Sequence, residues 1–439
     1  MLYLHCKIGT YMFKYSTIAI TALVFVLTAA SASRLQAQDK DSVRHKAQVE
    51  QVLSSLSVRE KVSQLFIISI SRSPSERTKA RQDSLVRDYG VGNIIIMRGD
   101  AREFIPRMNY LQSIARYPIL VAIDAEWGAA MRFSEYLPYP RQAQLSRIEK
   151  GGAKLLYKMG RNVGRELRDL NIYVNYAPVA DVSVPDNASD SQRSFSFDPK
   201  QVSELATAYM KGMQDEGIYA CGKHYPGHGG TTEDSHYVMP VIKQSRAYLD
   251  SVDLYPYNSL IANGLEMVMV GHFALPAIDS AIVPMSMSSN LINGVLRGDQ
   301  HFKGVVITDA IAMKALTTDF RSPVEATMAV YKAGADMLLM TDEPRKCIDA
   351  ITRAVENGEL SMDGLNSRVR KVLMLKARAG YFEDGFNPTV TGLDKKIASA
   401  RRRDYRLIKK MQRGMLKSKK PYIAPIGDDK TLILDRAGK

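Results

Sequence analysis

Gly304-Val305-Val306-Ile307-Thr308-Asp309 carries the pattern on which the fold turns. An apolar, β-favouring run proceeds without polar alternation, and a carboxylate closes it. A strand with one wet face alternates apolar and polar residues, whereas a strand covered on both faces does not. The run therefore predicts a buried strand of a parallel sheet with a polar group at its C-terminal end. Seven further runs have the same character: Phe66–Ile70, Val91–Met97, Pro118–Asp124, Tyr173–Val182, Ile218–Cys221, Met267–His272 and Ala335–Met340. Helical patterns lie between them, over Arg102–Ile114, Leu145–Asp169, Gln201–Glu216, Asn290–Arg297 and Ser322–Ala333, with a last helix over Val369–Arg378. Gly or Asn often closes a helix just before a strand, as at Gly90, Asn171, Gly217, Gly264 and Gly334. Eight β-α units in succession predict a (β/α)8 barrel. A doubly wound open sheet is the other arrangement such units allow. The barrel is favoured because polar residues end the runs: Asp124, Asp181, Lys223-His224, His272, Asp309 and Asp342. In a barrel those ends converge on one mouth; in an open sheet they spread along an edge.

The remaining composition narrows the class. The chain has 439 residues and a formal charge of +14. From Arg401 onward there are 13 Lys/Arg against 4 Asp/Glu, so +9 of that charge sits in the last stretch. The body is only mildly basic, and nucleic acid is not an expected partner. Lys14 followed by the apolar run Thr17–Ala30 and small residues reads as an export signal over residues 1–38. The expected location is therefore periplasmic or extracellular, with membrane contact only through that segment during export. Cys221 and Cys347 are the only cysteines beyond it, too few for a disulfide scaffold. Residues 386–439 read as a basic tail or shortened linker of a longer architecture.

Chemistry concentrates after the fifth run. Gly222-Lys223-His224-Tyr225-Pro226-Gly227-His228-Gly229-Gly230 holds four Gly and one Pro, a composition that predicts a specially shaped loop and neither helix nor strand. Asp234-Ser235-His236 follows. A carboxylate two residues from an imidazole can orient one ring nitrogen and leave the other free for proton transfer. His224, His228 and His236 also raise a metal site, but the glycines break the helical spacing such a site ordinarily uses. No cofactor and no metal are expected. Asp309 is either a working carboxylate or the cap of the following helix. Asp124 ends the third run, three residues before the single Trp, Trp127, whose face could pack on a sugar ring or simply be buried surface.

Together these stretches make the chain resemble glycoside hydrolase family 3, in its β-N-acetylhexosaminidase branch. The pattern K-H-[FY]-P-G-H-G-x4-D-S-H is matched without a gap from Lys223 to His236. Asn175–Val182, Arg193-Ser194-Phe195-Ser196, Met269–Phe273, Pro284–Ser288 and Gly304–Met313 support it in the same order. The resemblance covers roughly Ser57 to Phe382, which makes residues 50–385 the expected catalytic domain. It implies a (β/α)8 barrel that retains anomeric configuration and acts on a carbohydrate substrate containing N-acetylglucosamine. It further implies Asp309 as nucleophile and His236 as general acid/base with Asp234 as its partner. Asp124, Arg132, Arg193, Lys223 and His224 would bind the sugar hydroxyls and acetamido region. His titrates at about 6.5 unperturbed, so His236 can give and take a proton near neutrality. A neutral imidazole repels an anion less than a carboxylate does, which leaves phosphate as well as water open as the second-step acceptor.

At the third strand the family often shows D-Q-E-G-G-R-V-Q-R. Here Asp124-Ala125-Glu126-Trp127-Gly128-Ala129-Ala130-Met131-Arg132 keeps the first Asp and last Arg but brings in Trp127 and two alanines, an expected change in one pocket wall. The expected function is an exported retaining β-N-acetylhexosaminidase acting on amino-sugar glycosides such as cell-wall fragments. The alternatives are a β-glucosidase-like member and a non-catalytic barrel that binds glycan.

Overall fold

In a computed structural model, residues 41–184, 192–230, 239–317, 320 and 322–418 are described. The expected export signal lies outside them. The chain divides into two units, Met1–Ser54 and Ser55–Lys439. In the first, the described residues form a helix.

The second unit is built on eight strands: β1 Phe66–Ile70, β2 Asn93–Ile96, β3 Leu120–Ile123, β4 Val174–Asn175, β5 Tyr219–Tyr225, β6 Met267–Val270, β7 Val305–Thr308 and β8 Leu338–Leu339. Their order in the sheet is β7-β6-β5-β4-β3-β2-β1-β8, and every pairing is parallel. A parallel bridge between Ile307 and Met337 brings β7 to β8. The amides of Asp336 and Met337 add bonds to the Val306 carbonyl at 2.7 and 3.1 Å. The sheet thus closes as the expected (β/α)8 barrel, with helices around it. The strands lack alternation because both faces are covered: β2, β3, β6 and β7 are buried at every position.

Three stretches depart from the sequence reading. The fourth run keeps only two residues of regular strand. Pro178 has no N–H to give, yet its carbonyl accepts from Lys223 N at 3.1 Å, and Ala180 N bonds to the Lys223 carbonyl at 2.7 Å, so β4 continues as irregular pairing. The Gly222–Gly230 stretch was expected to exclude strand, but β5 runs through Lys223-His224-Tyr225 and leaves the sheet only at Pro226. The helix expected over Leu145–Asp169 is two helices, Gln142–Leu145 and Gly152–Asp169, parted where Gly151 adopts φ +75°.

Helix Gly152–Asp169 buries Leu155, Leu156, Met159, Val163 and Leu167 along one face. Its Gly160 meets Gly212 of helix Pro199–Gln214 at backbone contact. A Cβ on Gly160 would stand 2.2 Å from the Tyr209 carbonyl, so glycine sets that closeness.

Within the stretch read as a basic tail or shortened linker, Leu393–Leu416 is a helix packed on the barrel. Its charge had hidden an apolar stripe: Ile397, Ala400, Leu407, Ile408 and Met411 are buried. Residues 419–439 lie outside the described residues. Asp404 is buried within this stripe and accepts from Tyr139 Oη at 2.8 Å; Tyr139 in turn accepts from Asn162 at 3.0 Å. Glu166 accepts from the amide of Ala129 at 2.9 Å. Burial and the neighbouring Asp404 carboxylate hold Glu166 well above the usual carboxylate range. The terminal helix thus grips the loop after β3 through Tyr139 and Glu166. Asp404→Ala is expected to destabilise the fold by about 1–3 kcal/mol, the penalty for stripping buried polar groups of a partner. Equilibrium urea unfolding reads it, with Arg402→Ala as the exposed control that should leave the midpoint unchanged.

Candidate active site

The strand ends meet at the C-terminal mouth around a cavity of about 600 Å³. Asp124, Arg132, Arg193, Lys223, His224 and Asp309 all line it. Asp234 and His236 fall at 231–238, outside the described residues.

Lys223 is the hub on one side. Its Nζ lies 2.7 Å from Asp124 Oδ1 and 2.8 Å from Glu126 Oε1, and the side chain is 3% exposed. Arg132 closes on the other oxygen of Asp124. Arg193 reaches Glu126 with Nη2 at 2.7 Å and Nε at 3.1 Å. Burial raises the Glu126 carboxyl, but Arg193 and Lys223 outweigh it and hold the group far below its ordinary value. The same balance keeps Asp124 ionised through Lys223 and Arg132. Burial lowers Lys223 while Asp124 and Glu126 raise it, with a net upward shift. Every charge in the cluster is therefore fixed near neutral pH.

His224 is held by Asp181, in the stretch that continues β4. Its Nδ1 donates to Asp181 Oδ2 at 2.8 Å, and its backbone amide donates to Asp181 Oδ1 at 3.0 Å. With Nδ1 protonated, Nε2 accepts from Arg193 at 3.5 Å. Successive residues of a regular strand point to opposite faces. Lys223 and His224 both line the cavity because the β5–β6 register slips between Gly222 and Tyr225.

Asp309 ends β7, with its amide on the Val270 carbonyl at 2.9 Å. Its Oδ1 accepts from Ala310 N at 2.7 Å. Burial favours the acid, but the imidazoles of His224 and His272, the Ala310 amide and the Lys223 ammonium together hold it below the usual carboxylate value. His272 lies beneath the mouth, fully buried, with Nδ1 on Ser286 Oγ at 2.8 Å and Nε2 on the Ala310 carbonyl at 3.1 Å. Burial depresses its basicity, and the ring braces the turn that follows Asp309.

Below the glycine turn, Gly229 passes so near Val182 that a Cβ would meet its carbonyl at 1.8 Å. Asp253 packs against Gly227 with 1% exposure, and among the described residues neither of its oxygens has a hydrogen-bond partner. Burial, helped by nearby Asp181, pushes it up to about 8. The unfolded carboxyl titrates near 3.8, so the folded state holds the extra proton, and stability falls as pH rises between those values. Asp253→Asn is accordingly expected to raise the melting temperature at pH 8 and to leave it nearly unchanged at pH 4. Scanning calorimetry at the two pH values checks this.

Trp127 does not line the cavity. The Arg141 guanidinium stands 3.2 Å from its ring centroid, so that face is closed to a sugar. Met131 and Arg132 form the wall where an intruding Trp was expected. Sequence reading missed Glu126, although it lies two residues from Asp124 in a stretch already singled out. It also left Asp181 and His272 as mere strand ends.

A closed parallel barrel that gathers carboxylates, cations and imidazoles at one mouth is a (β/α)8 barrel with a polar cavity at its strand ends. The model of the glycosyl hydrolase family 3 N terminal domain matches residues 57–375, and the chain belongs to that family. Beta-hexosaminidase A of Pseudoalteromonas piscicida is 31% identical over 326 residues, covering 67% of this chain and 54% of that protein. Beta-hexosaminidase LpqI of Mycobacterium tuberculosis is 30% identical over 335 residues, 73% of this chain and 83% of the relative. Among solved structures, a glycoside hydrolase family 3 beta-N-acetylglucosaminidase from Paenibacillus superposes with a TM-score of 0.73 at 30% identity, covering 82% of this chain and 69% of that one. The chain thus spans about half the length of the first of these relatives.

Proposed function

We propose that this chain is an exported, retaining β-N-acetylhexosaminidase that cleaves amino-sugar glycosides through a covalent intermediate on Asp309. The observation that carries the reading is the convergence in one mouth of a half-buried Asp309, its pKa held down, with the cation-locked carboxylates that follow β3. Similarity to proteins named beta-hexosaminidase supports the amino-sugar assignment. The apolar run Thr17–Ala30 supports export.

In this reading the sugar lies against β3–β5. Asp124 and His224 Nε2 accept from its hydroxyls while Lys223, Arg132 and Arg193 donate. Glu126 touches no substrate; it fixes Lys223 and Arg193. The Asp309 carboxylate attacks the anomeric carbon from one face. His236, oriented by Asp234, protonates the departing oxygen as the glycosidic bond breaks. Water then gives a proton to the same imidazole and displaces Asp309, and two inversions amount to retention. An Asp309 held below its ordinary pKa stays anionic across the range in which an imidazole changes charge.

The test is release of aryl alcohol from aryl β-N-acetylglucosaminide and aryl β-glucoside, with and without inorganic phosphate. Strong preference for the acetamido sugar is expected. Preference for glucoside would move the assignment to a β-glucosidase-like member, and release from neither would leave only a glycan-binding barrel.

A further inference from the structure

The cavity is divided in two. Its polar side chains come from β3 to β5, from the end of β7 and from Lys314 in the turn after it, whereas Ile95, Met97, Met131, Met313, Leu339 and Met340 line most of the rest. These six form a continuous arc. Gly99 N bonds to the Arg132 carbonyl at 2.8 Å, which ties the loop after β2 to the loop carrying Met131. Met97 N and Met340 N bond to β1 at the carbonyls of Ile70 and Ile67, both at 3.0 Å. Ile311 N and Ala312 N then tie the turn bearing Met313 to the Leu339 and Met340 carbonyls at 2.8 and 3.0 Å.

We propose that this arc is an aglycone subsite for an apolar group, which makes the substrate class an amino sugar linked to an alkyl or aryl alcohol. The proposal rests on the hydrolase reading above for the placement of the sugar ring. A second sugar set against the arc would give up hydrogen bonds to water and find thioethers and aliphatic carbons in return, a loss of the kind that disfavours burying hydroxyls. An alkyl or aryl group would instead cover apolar surface. Methionine side chains are unbranched and polarisable, so the wall adapts to occupants of different shape. A single acetamido methyl would leave most of so wide an arc wet.

The experiment uses S-alkyl thioglycosides of N-acetyl-β-glucosamine, which bind without ready cleavage, with methyl, propyl, butyl and hexyl chains. Titration calorimetry is expected to show Kd falling by about two- to fourfold per added CH2 over this series. The hexyl compound should also bind more tightly than the matching thio-linked disaccharide. In Met97→Gln and Met313→Gln the hexyl-to-methyl affinity ratio should collapse towards one. A Kd independent of chain length, or tighter binding of the disaccharide, would overturn the proposal. So would affinity that grows with the N-acyl chain and not with the aglycone, which assigns the arc to the acetamido side. Tightening with chain length in a protein that cleaves no aryl glycoside would sustain the subsite and defeat the hydrolase reading, so the two failures are separable.

Discussion

Asp309→Ala is expected to lower kcat on aryl β-N-acetylglucosaminide by about 10⁴-fold or more, the scale on which enzymes lose activity when a covalent nucleophile is removed. Two roles were open to this residue in the sequence. As a cap its removal would cost about 0.5–2 kcal/mol of stability and little rate. The structure does give Oδ1 a cap-like bond, from Ala310 N at 2.7 Å. Yet the carboxyl also lines the cavity and is kept ionised there by His224, His272 and Lys223. A cap at a solvated helix end would need none of these. Added azide should restore turnover in the Ala variant by replacing the missing nucleophile, and the product should then carry the inverted configuration. Activity within tenfold of the parent would return Asp309 to a cap.

The second large effect is on stability. Lys223→Met is expected to destabilise the barrel by about 3–5 kcal/mol, because the substitution leaves buried carboxylates without their shared cation. Lys223 is 3% exposed and Glu126 0%, so water cannot replace the lost ammonium. Arg132 and Arg193 each retain one carboxylate, which is why the barrel should still fold. Guanidinium unfolding monitored by circular dichroism reads the change. The pH dependence has a definite sign. Glu126 is depressed in the folded state, so its contribution is present above about 4.5, its value when unfolded, and is lost as pH falls towards the folded value. In Glu126→Gln that acid-side loss should shrink. An unchanged acid limb would mean that Glu126 is not the group whose charge the cluster holds.

The barrel was legible because burial on both faces leaves an unmistakable mark: β1 occupies the very run Phe66–Ile70 that its composition marks out. The gathering of Asp124, Lys223, His224 and Asp309 in one cavity was legible because strand ends in a barrel have one place to go. What was not legible has physical reasons. Pro178 reads as a stop, yet its carbonyl still serves the sheet. Glycines around Lys223-His224 read as loop, yet a slipped register accommodates them in β5. Helix Leu393–Leu416 looked like a solvated charge run because its apolar stripe is spaced among arginines and lysines, and its one buried acid takes a hydrogen bond from Tyr139, a residue 265 positions away. Glu126 went unread because a carboxylate that holds other side chains in place leaves no local sequence mark to separate it from one that binds ligand. Trp127 invited a sugar-stacking role that only the position of Arg141 could refuse.

The central claim is a two-step displacement on Asp309. It is tested most directly by proton NMR of the sugar first released from an aryl β-N-acetylglucosaminide, observed before mutarotation. The account predicts the β-anomer as the initial product; initial appearance of the α-anomer would contradict it.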